Sequence, residues 1–380
     1  GGLNSEQKKA VISTEGPVLV LAGAGAGKTK TIAERIRHLV HAGVAPSTIL
    51  AITFTNKAAK EMRDRIGRGL QDDSALNRPV SMSERPFVST FHSLGVHILR
   101  EQSAKVGIKR HFAIFDRDDS KKAVREALLT IGLDPKVHDP ARLMSVISKE
   151  KGRGLSPDDW VARLPAGRQG YFQDLVAQIW PEYEKILSRD NALDFDDLLL
   201  KTMNLLRSEP GVRGFYQNVW HYVHIDEYQD TSYVQYEISK LLVGANRNIC
   251  VVGDIDQNIY SWRGADIKNI IHFEQDYPNA KVIILEENYR STKTILEAAN
   301  AVIEKNKIRR KKNLFTGNAS GEKIGLFRGF DELSEAEFVA NKAEELIKEG
   351  VPPEEISVLF RANFQSRALE ESFMNRNIPY

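Results

Sequence analysis

The sequence predicts an α/β protein built on a parallel sheet, with a helical subdomain inserted into it. Three observations carry that expectation. Short β-type runs alternate with longer helical patterns along the chain. Most of those runs are continuously apolar rather than alternating, as strands covered on both faces are. Between about residues 96 and 214 the strand signals fade and helical periodicity replaces them.

Taken in order, the expected strands are PVLVLA (17–22), ILAIT (about 48–53), FVST (87–90), YVHID (222–226), ICVVGD (249–254), KVIIL (281–285) and ISVLF (356–360). Within the inserted region, KKAVREALLTIG, PARLMSVISKE, YFQDLVAQIWPEYEKILS and FDDLLLKTMNLL read as amphipathic helices. GRGLSPDDW and LPAGRQG (164–170) read as surface loops. The expected division is a core of residues 1–95 and 215–280, a helical subdomain of 96–214, and a second, incomplete α/β unit over 281–380. Within that last unit KNKIRRKKN (305–313) reads as a solvated basic face, and more weakly as a phosphate-contacting one.

Bulk properties set bounds. At 380 residues the chain can bury a large core, and 42% hydrophobic with 27% charged residues is ordinary for a globular protein. A net charge of +2 does not argue for nucleic-acid binding, so any such site must be a local surface. The single cysteine, Cys250, cannot form an internal disulfide, which fits a reducing cytoplasm. No apolar run approaches the roughly 20 residues of a membrane span, so no membrane partner is expected. The Gly1-Gly2 start without Met leads to the expectation of a trimmed or tagged N-terminus.

The strongest local signal is AGAGAGKTKT, which leaves a strand and enters a helix, the context a phosphate-binding loop requires. Ala22 stands where the pattern has its first glycine; Ala24, Gly25, Ala26, Gly27, Lys28, Thr29 and Lys30 complete the loop. Small residues let backbone N–H groups close around phosphate oxygens at a helix N-terminus. Lys28 is expected to neutralise β/γ-phosphates, and Thr29 to give its hydroxyl to Mg²⁺. In VHIDEYQD (223–230), Asp226 and Glu227 sit at a strand's C-terminal end, where open α/β sheets bind ligands. An acid pair alone is commonly just a solvated strand end. Beside a phosphate loop it reads as a metal ligand, Asp226, and a general base, Glu227.

GDIDQNIYSWRGA (253–265) mixes two chemistries. Its acids and amide suit a nucleotide, with Asp254 near it and Gln257 sensing the terminal phosphate or its attacking water. Tyr260, Trp262 and Arg263 suit bases and phosphates of a nucleic acid.

LNSEQKKAV, AGAGAGKT, ITFTNKAAKEMRDRI, STFHSLG, DFDDLL, VHIDEYQDT, VVGDIDQNIYSWRGA and LEENYRST, in this order, resemble the superfamily 1 DNA helicases of the UvrD/PcrA/Rep type over nearly the whole chain. That resemblance implies RecA-like, P-loop NTPase units facing each other across an ATP cleft. It implies ATP and Mg²⁺ as cofactors, single-stranded DNA and duplex with a 3′ single-stranded tail as substrates, and repair or replication proteins as partners. Polarity would be 3′ to 5′. Gln7 would read adenine, although Asn4 followed by Gln7 is equally a capping box. Tyr289 would stack on the base and Arg290 would reach the γ-phosphate. Phe54, Thr55, Asn56, Thr90, His92 and Phe195 would join Tyr260, Trp262 and Arg263 on DNA. Without the resemblance, Phe54 reads as core and Phe195 as helix core. The later family motifs are not in this sequence, so the chain is expected to be the N-terminal portion of a longer helicase, its missing C-terminal part completing the second unit. A nuclease-coupled AddA/RecB-type relative and an ATP-binding DNA clamp without processive unwinding are the competing readings.

Overall fold

The computed structural model describes residues 2–71, 81, 84–164, 170–261, 264–306 and 312–380. Its strands are β1 (Val18–Ala22), β2 (Ile49–Thr53), β3 (Phe87–Thr90), β4 (Ala113–Phe115), β5 (Ala192–Asp194), β6 (Tyr222–Ile225), β7 (Ile249–Gly253) and β8 (Lys281–Leu285). Six of them form one parallel sheet in the order β3-β2-β6-β7-β1-β8, while β4 and β5 pair separately. Every residue of β1, β2 and β7 is buried. The period of two distributes them: Leu19, Leu21, Leu50 and Ile52 enter one core, and Val18, Val20, Ile49 and Ala51 another. Both faces are therefore covered, which is why these strands read as unbroken apolar runs.

The four helices expected in the insertion form, as Arg117–Thr130, Pro140–Gly152, Tyr171–Arg189 and Phe195–Ser208. The first three build their own core around Trp180, Tyr183, Leu128 and Ile147. Phe195–Ser208 differs: Leu198, Met203 and Leu206 pack with the sheet residues instead. GRGLSPDDW is only partly loop, because Ser156 caps a short helix, Pro157–Arg163, with a capping box. Most of LPAGRQG lies outside the described residues.

One buried ion cluster ties this region together. Lys151, 1% exposed, places its Nζ 2.6 Å from Glu184, 2.8 Å from Asp194 and 3.0 Å from Asp197. Burial alone would lower the ammonium, but Asp194, Asp197 and Glu184 hold it well above the ordinary lysine value. Lys151→Met strands those carboxylates and is expected to cost about 3–5 kcal/mol, measurable by urea unfolding.

Two expectations for residues 281–380 change. KVIIL does not open a second unit: β8 pairs with β1 as an edge of the first sheet. ISVLF forms no strand. A strand exists only through its ladder, and no strand pairs with it among the described residues. The chain divides into compact units of Gly1–Ala319 and Ser320–Tyr380. Within the second, the helices Glu332–Lys348 and Ser366–Asn375 pack Ala340, Ala343 and Phe373 together, and Ile356 and Val358 lie against them.

Candidate nucleotide and nucleic-acid site

Most of the described residues singled out in the sequence lie near one rim, the C-terminal ends of the parallel strands. β1 runs into the phosphate loop and the helix Lys28–His41. Gly25 and Gly27 have φ of +68° and +77°, which L side chains rarely adopt. A Cβ on Gly25 would also fall 2.6 Å from the Asn288 amide nitrogen and 2.8 Å from Arg290 Cβ. Gly27 caps the helix with no side-chain hydrogen bond, so the first-turn N–H groups are left to an anion.

Lys28 and Glu227, 199 positions apart in the chain, meet at 2.8 Å because β1 and β6 flank β7. Lys28 Nζ also donates to Gln257 Oε1 at 3.1 Å. Thr29 Oγ1 donates to Asp226 Oδ2 at 2.9 Å. Burial, and then the neighbouring Glu227, push the Asp226 carboxyl up to about 6. Burial and Glu227 raise Asp230 to about 6 as well. Glu227 itself holds φ at +51°, a left-handed conformation for a non-glycine residue, the kind of local strain that functional sites keep. Gln229 braces it, donating to Glu227 Oε2 at 2.9 Å while its Oε1 accepts from the Asp254 backbone at 2.9 Å.

The LEENYRST segment docks onto the phosphate loop. Asn288 donates to the Ala24 carbonyl at 2.7 Å, and Tyr289 N–H to the Gly25 carbonyl at 3.0 Å. Asn288 Oδ1 accepts from the backbones of Arg290 and Ser291, which sets the turn that exposes Arg290 beside Gly25. Tyr289 is half exposed, its hydroxyl held by Glu287 at 2.6 Å and Asn4 at 2.8 Å. Gln7 is buried in the capping box that its spacing allowed, and its Nε2 donates to the Ala26 carbonyl at 3.0 Å. Lys30 reaches the Gly2 carbonyl at 3.5 Å. Asn288 and Gln229 were not read as site residues from the sequence. Asn288 lies inside a quoted motif and opens an Asx-type turn, a signal that could have found it.

The other half of the rim is aromatic. Thr53 and Thr90 are register partners, so Phe54 and His92 leave neighbouring strands. Asp226 N–H donates to the Ile52 carbonyl at 2.9 Å, which puts Phe54 close beyond the acid pair. Phe54 and Tyr260 rings stand 4.8 Å apart, and His92 meets Phe195 edge-on at 5.6 Å. Phe195 is 52% exposed, not helix core. Its approach to His92 depends on Gly95, where a Cβ would fall 2.4 Å from the Leu198 carbonyl oxygen. Asn56 and Thr55 are exposed, with Thr55 Oγ1 accepting from Ala58 N–H at 3.1 Å. Thr90 is buried, and its hydroxyl caps the helix Phe91–Glu101 rather than facing outward. Trp262 and Arg263 lie outside the described residues.

Comparison with known proteins places the chain in a family. Residues 3–278 match the UvrD/REP helicase N-terminal domain, and residues 283–380 the UvrD-like helicase C-terminal domain. Over 379 residues the chain is 45% identical to the ATP-dependent DNA helicase PcrA of Staphylococcus aureus and to the protein of that name from Staphylococcus epidermidis. Those alignments take in 100% of this chain and 50% of each relative, so the chain spans half the length of the relatives it matches. No helix among the described residues is long and apolar enough to cross a membrane. A phosphate loop, an acid pair and an aromatic rim on one parallel sheet, matched from end to end by these two domains, make this chain a member of the UvrD/PcrA-type superfamily 1 helicase family, with the RecA-like P-loop fold.

Proposed function

We propose that this chain carries the ATP-hydrolysing and DNA-gripping part of a helicase that moves along single-stranded DNA 3′ to 5′ and splits duplex ahead of it. One observation carries the proposal. The Lys28–Glu227–Gln257 cluster and the Phe54–Tyr260 pair share a single sheet rim, with the Asp226 backbone bonded to the strand that ends in Phe54.

ATP is the substrate on this reading. The uncapped helix start takes the phosphates, and Lys28 turns from Glu227 toward them, drawn by a larger negative charge. Glu227, its carboxylate no longer occupied by Lys28, is then free to accept the proton of the attacking water. Gln257 orients that water or senses the terminal phosphate, and Arg290 supplies a planar cation from the docked loop. Tyr289 stacks on the adenine. Gln7, beyond its capping role, keeps one amide hydrogen for the adenine edge. The Thr29 hydroxyl in the first turn of its helix and the buried Asp226 carboxylate just past β6, 2.9 Å apart, fit a hard divalent cation. They would hold Mg²⁺, which supplies charge neutralisation on the phosphates when bound.

DNA lies along Phe54, Tyr260, His92 and Phe195, with Thr55 and Asn56 at the backbone; by the family resemblance Trp262 and Arg263 would contact DNA as well. Stacking grips any base, since every base has a π-face. The match of residues 283–380 to the UvrD-like helicase C-terminal domain, and the separate compact unit Ser320–Tyr380, support a second RecA-like unit beginning after β8.

DNA-stimulated ATP turnover tests the proposal. Turnover that rises on adding single-stranded DNA, and disappears on chelating divalent metal, is the expected result. ATP binding without turnover would favour a clamp. A narrower test is Phe195→Ala, which removes an exposed ring with little effect on folding. It should weaken single-stranded DNA affinity by about 1–3 kcal/mol in a fluorescence-anisotropy titration at fixed salt. Unchanged affinity would remove Phe195 from the DNA surface.

A further inference from the structure

Lys312 lies in a basic stretch expected to be solvated, yet its side chain is only 7% exposed. Its ammonium pairs with Asp254 and lies 3.2 Å from Asp256 Oδ2. Both acids are themselves nearly buried, at 2% and 6% side-chain exposure. The backbone brings it there. Asn313 N–H donates to Glu286 Oε1 at 2.7 Å, Phe315 N–H to the Glu286 carbonyl at 3.1 Å, and Asn288 N–H to the Phe315 carbonyl at 2.8 Å. Leu314 covers Gly23, where a Cβ would fall 2.1 Å from its Cδ2. The segment after Lys312 is thus laid along the same loop that carries Tyr289 and Arg290.

From Lys312 a chain of hydrogen bonds runs to the phosphate loop. Asp254 Oδ1 accepts from Asp256 N–H at 3.0 Å, and Asp254 Oδ2 accepts from Gln257 Nε2. Gln257 Oε1 accepts from Lys28 at 3.1 Å. A carboxylate only accepts and an ammonium only donates, so one orientation of the Gln257 amide satisfies both neighbours.

We infer that Lys312 is a positioning residue of the hydrolytic site. It holds the Asp254–Asp256 acid pair charged and in place, and through Asp254 it fixes the direction of the Gln257 amide. This rests on the ATP-hydrolysis reading above. Without the cation, two buried acids stand together uncompensated, and one must take a proton or swing away. A displaced Asp254 no longer offers Gln257 its acceptor, and a protonated one accepts more weakly, so the bond that fixes the amide's direction is lost or weakened. The phosphate loop and the helix start it leads into are not part of the Lys312 contacts, so the effect should fall on the rate more than on substrate affinity.

A double-mutant cycle tests the inference. Lys312→Met should lower the kcat of DNA-stimulated ATP turnover about 10- to 100-fold, the scale of a misplaced catalytic group, with KM nearly unchanged. Made in a Gln257→Ala background it should cost nothing further, and Lys312→Arg should restore most of the rate. Losses that multiply, or a rise in KM alone, would overturn the inference. A second cycle needs no turnover: Lys312→Met should lower the Tm by several degrees in the wild-type chain and not in an Asp254→Asn/Asp256→Asn background. An equal loss in both backgrounds would also overturn it. Absence of turnover in the wild-type chain would count against the ATP-hydrolysis reading alone, and the stability cycle would then decide the role of Lys312.

Discussion

Lys28→Ala is expected to reduce ATP turnover to background, a loss beyond about 10³-fold. Two effects of the substitution add. The phosphates lose the loop cation expected to neutralise their β/γ charge, so nucleotide affinity falls as well as the rate. Glu227, Asp226 and Asp230 also lose the positive charge that opposes their crowding: Lys28 now lowers both Asp226 and Asp230 against burial and Glu227. Without it both carboxyls rise further, and protonated acids neither hold a metal nor keep their present hydrogen bonds. DNA binding in the absence of nucleotide should be largely retained, because Phe54 follows β2, His92 lies in the helix after β3 and Phe195 opens its own helix, all outside the loop and helix that carry Lys28. Turnover assays beside anisotropy titrations separate the two. Turnover near the wild-type rate would remove Lys28 from the site.

Glu227→Gln should act differently, slowing hydrolysis about 10²- to 10⁴-fold while ATP still binds. The amide is nearly the shape of the carboxylate, and its oxygen can keep accepting from Lys28 and Gln229, now at 2.8 and 2.9 Å. What it lacks is basicity toward the attacking water. The left-handed backbone at this position is unchanged by the substitution, so folding should be too. A filter-binding or fluorescent-nucleotide measurement that shows retained affinity, together with single-turnover rates, isolates the chemical step. An unaltered single-turnover rate would move the general base to another residue.

Much of this site was legible because the sequence signals are local. The phosphate loop is a strand–turn–helix whose left-handed glycines and small residues constrain only their own backbone. The Asp226–Glu227 pair ends an apolar run, and where a strand ends is itself a local property. Gln7 carried two readings, and its capping box, spanning three residues, is present alongside a bond to the loop. Phe195 misled because apolar spacing describes a whole helix. It is the first residue of its helix, held just past the Asp194 cap, and its ring projects beyond the face that packs from Leu198 onward.

The amino-acid order was therefore enough for the α/β class, the phosphate loop, the acid pair and the family, since each rests on short local patterns or on their order along the chain. Strand order was not available from it. Lys28 reaches Glu227, and Thr53 pairs with Thr90, only because β3-β2-β6-β7-β1-β8 sets those strand ends along one rim. The same non-local pairing put β8 in the first sheet, left ISVLF without a ladder, and drew Lys312 out of a basic run onto two buried acids. A charge or an edge strand takes its role from what the folded chain brings against it, and those partners lie tens to hundreds of residues away.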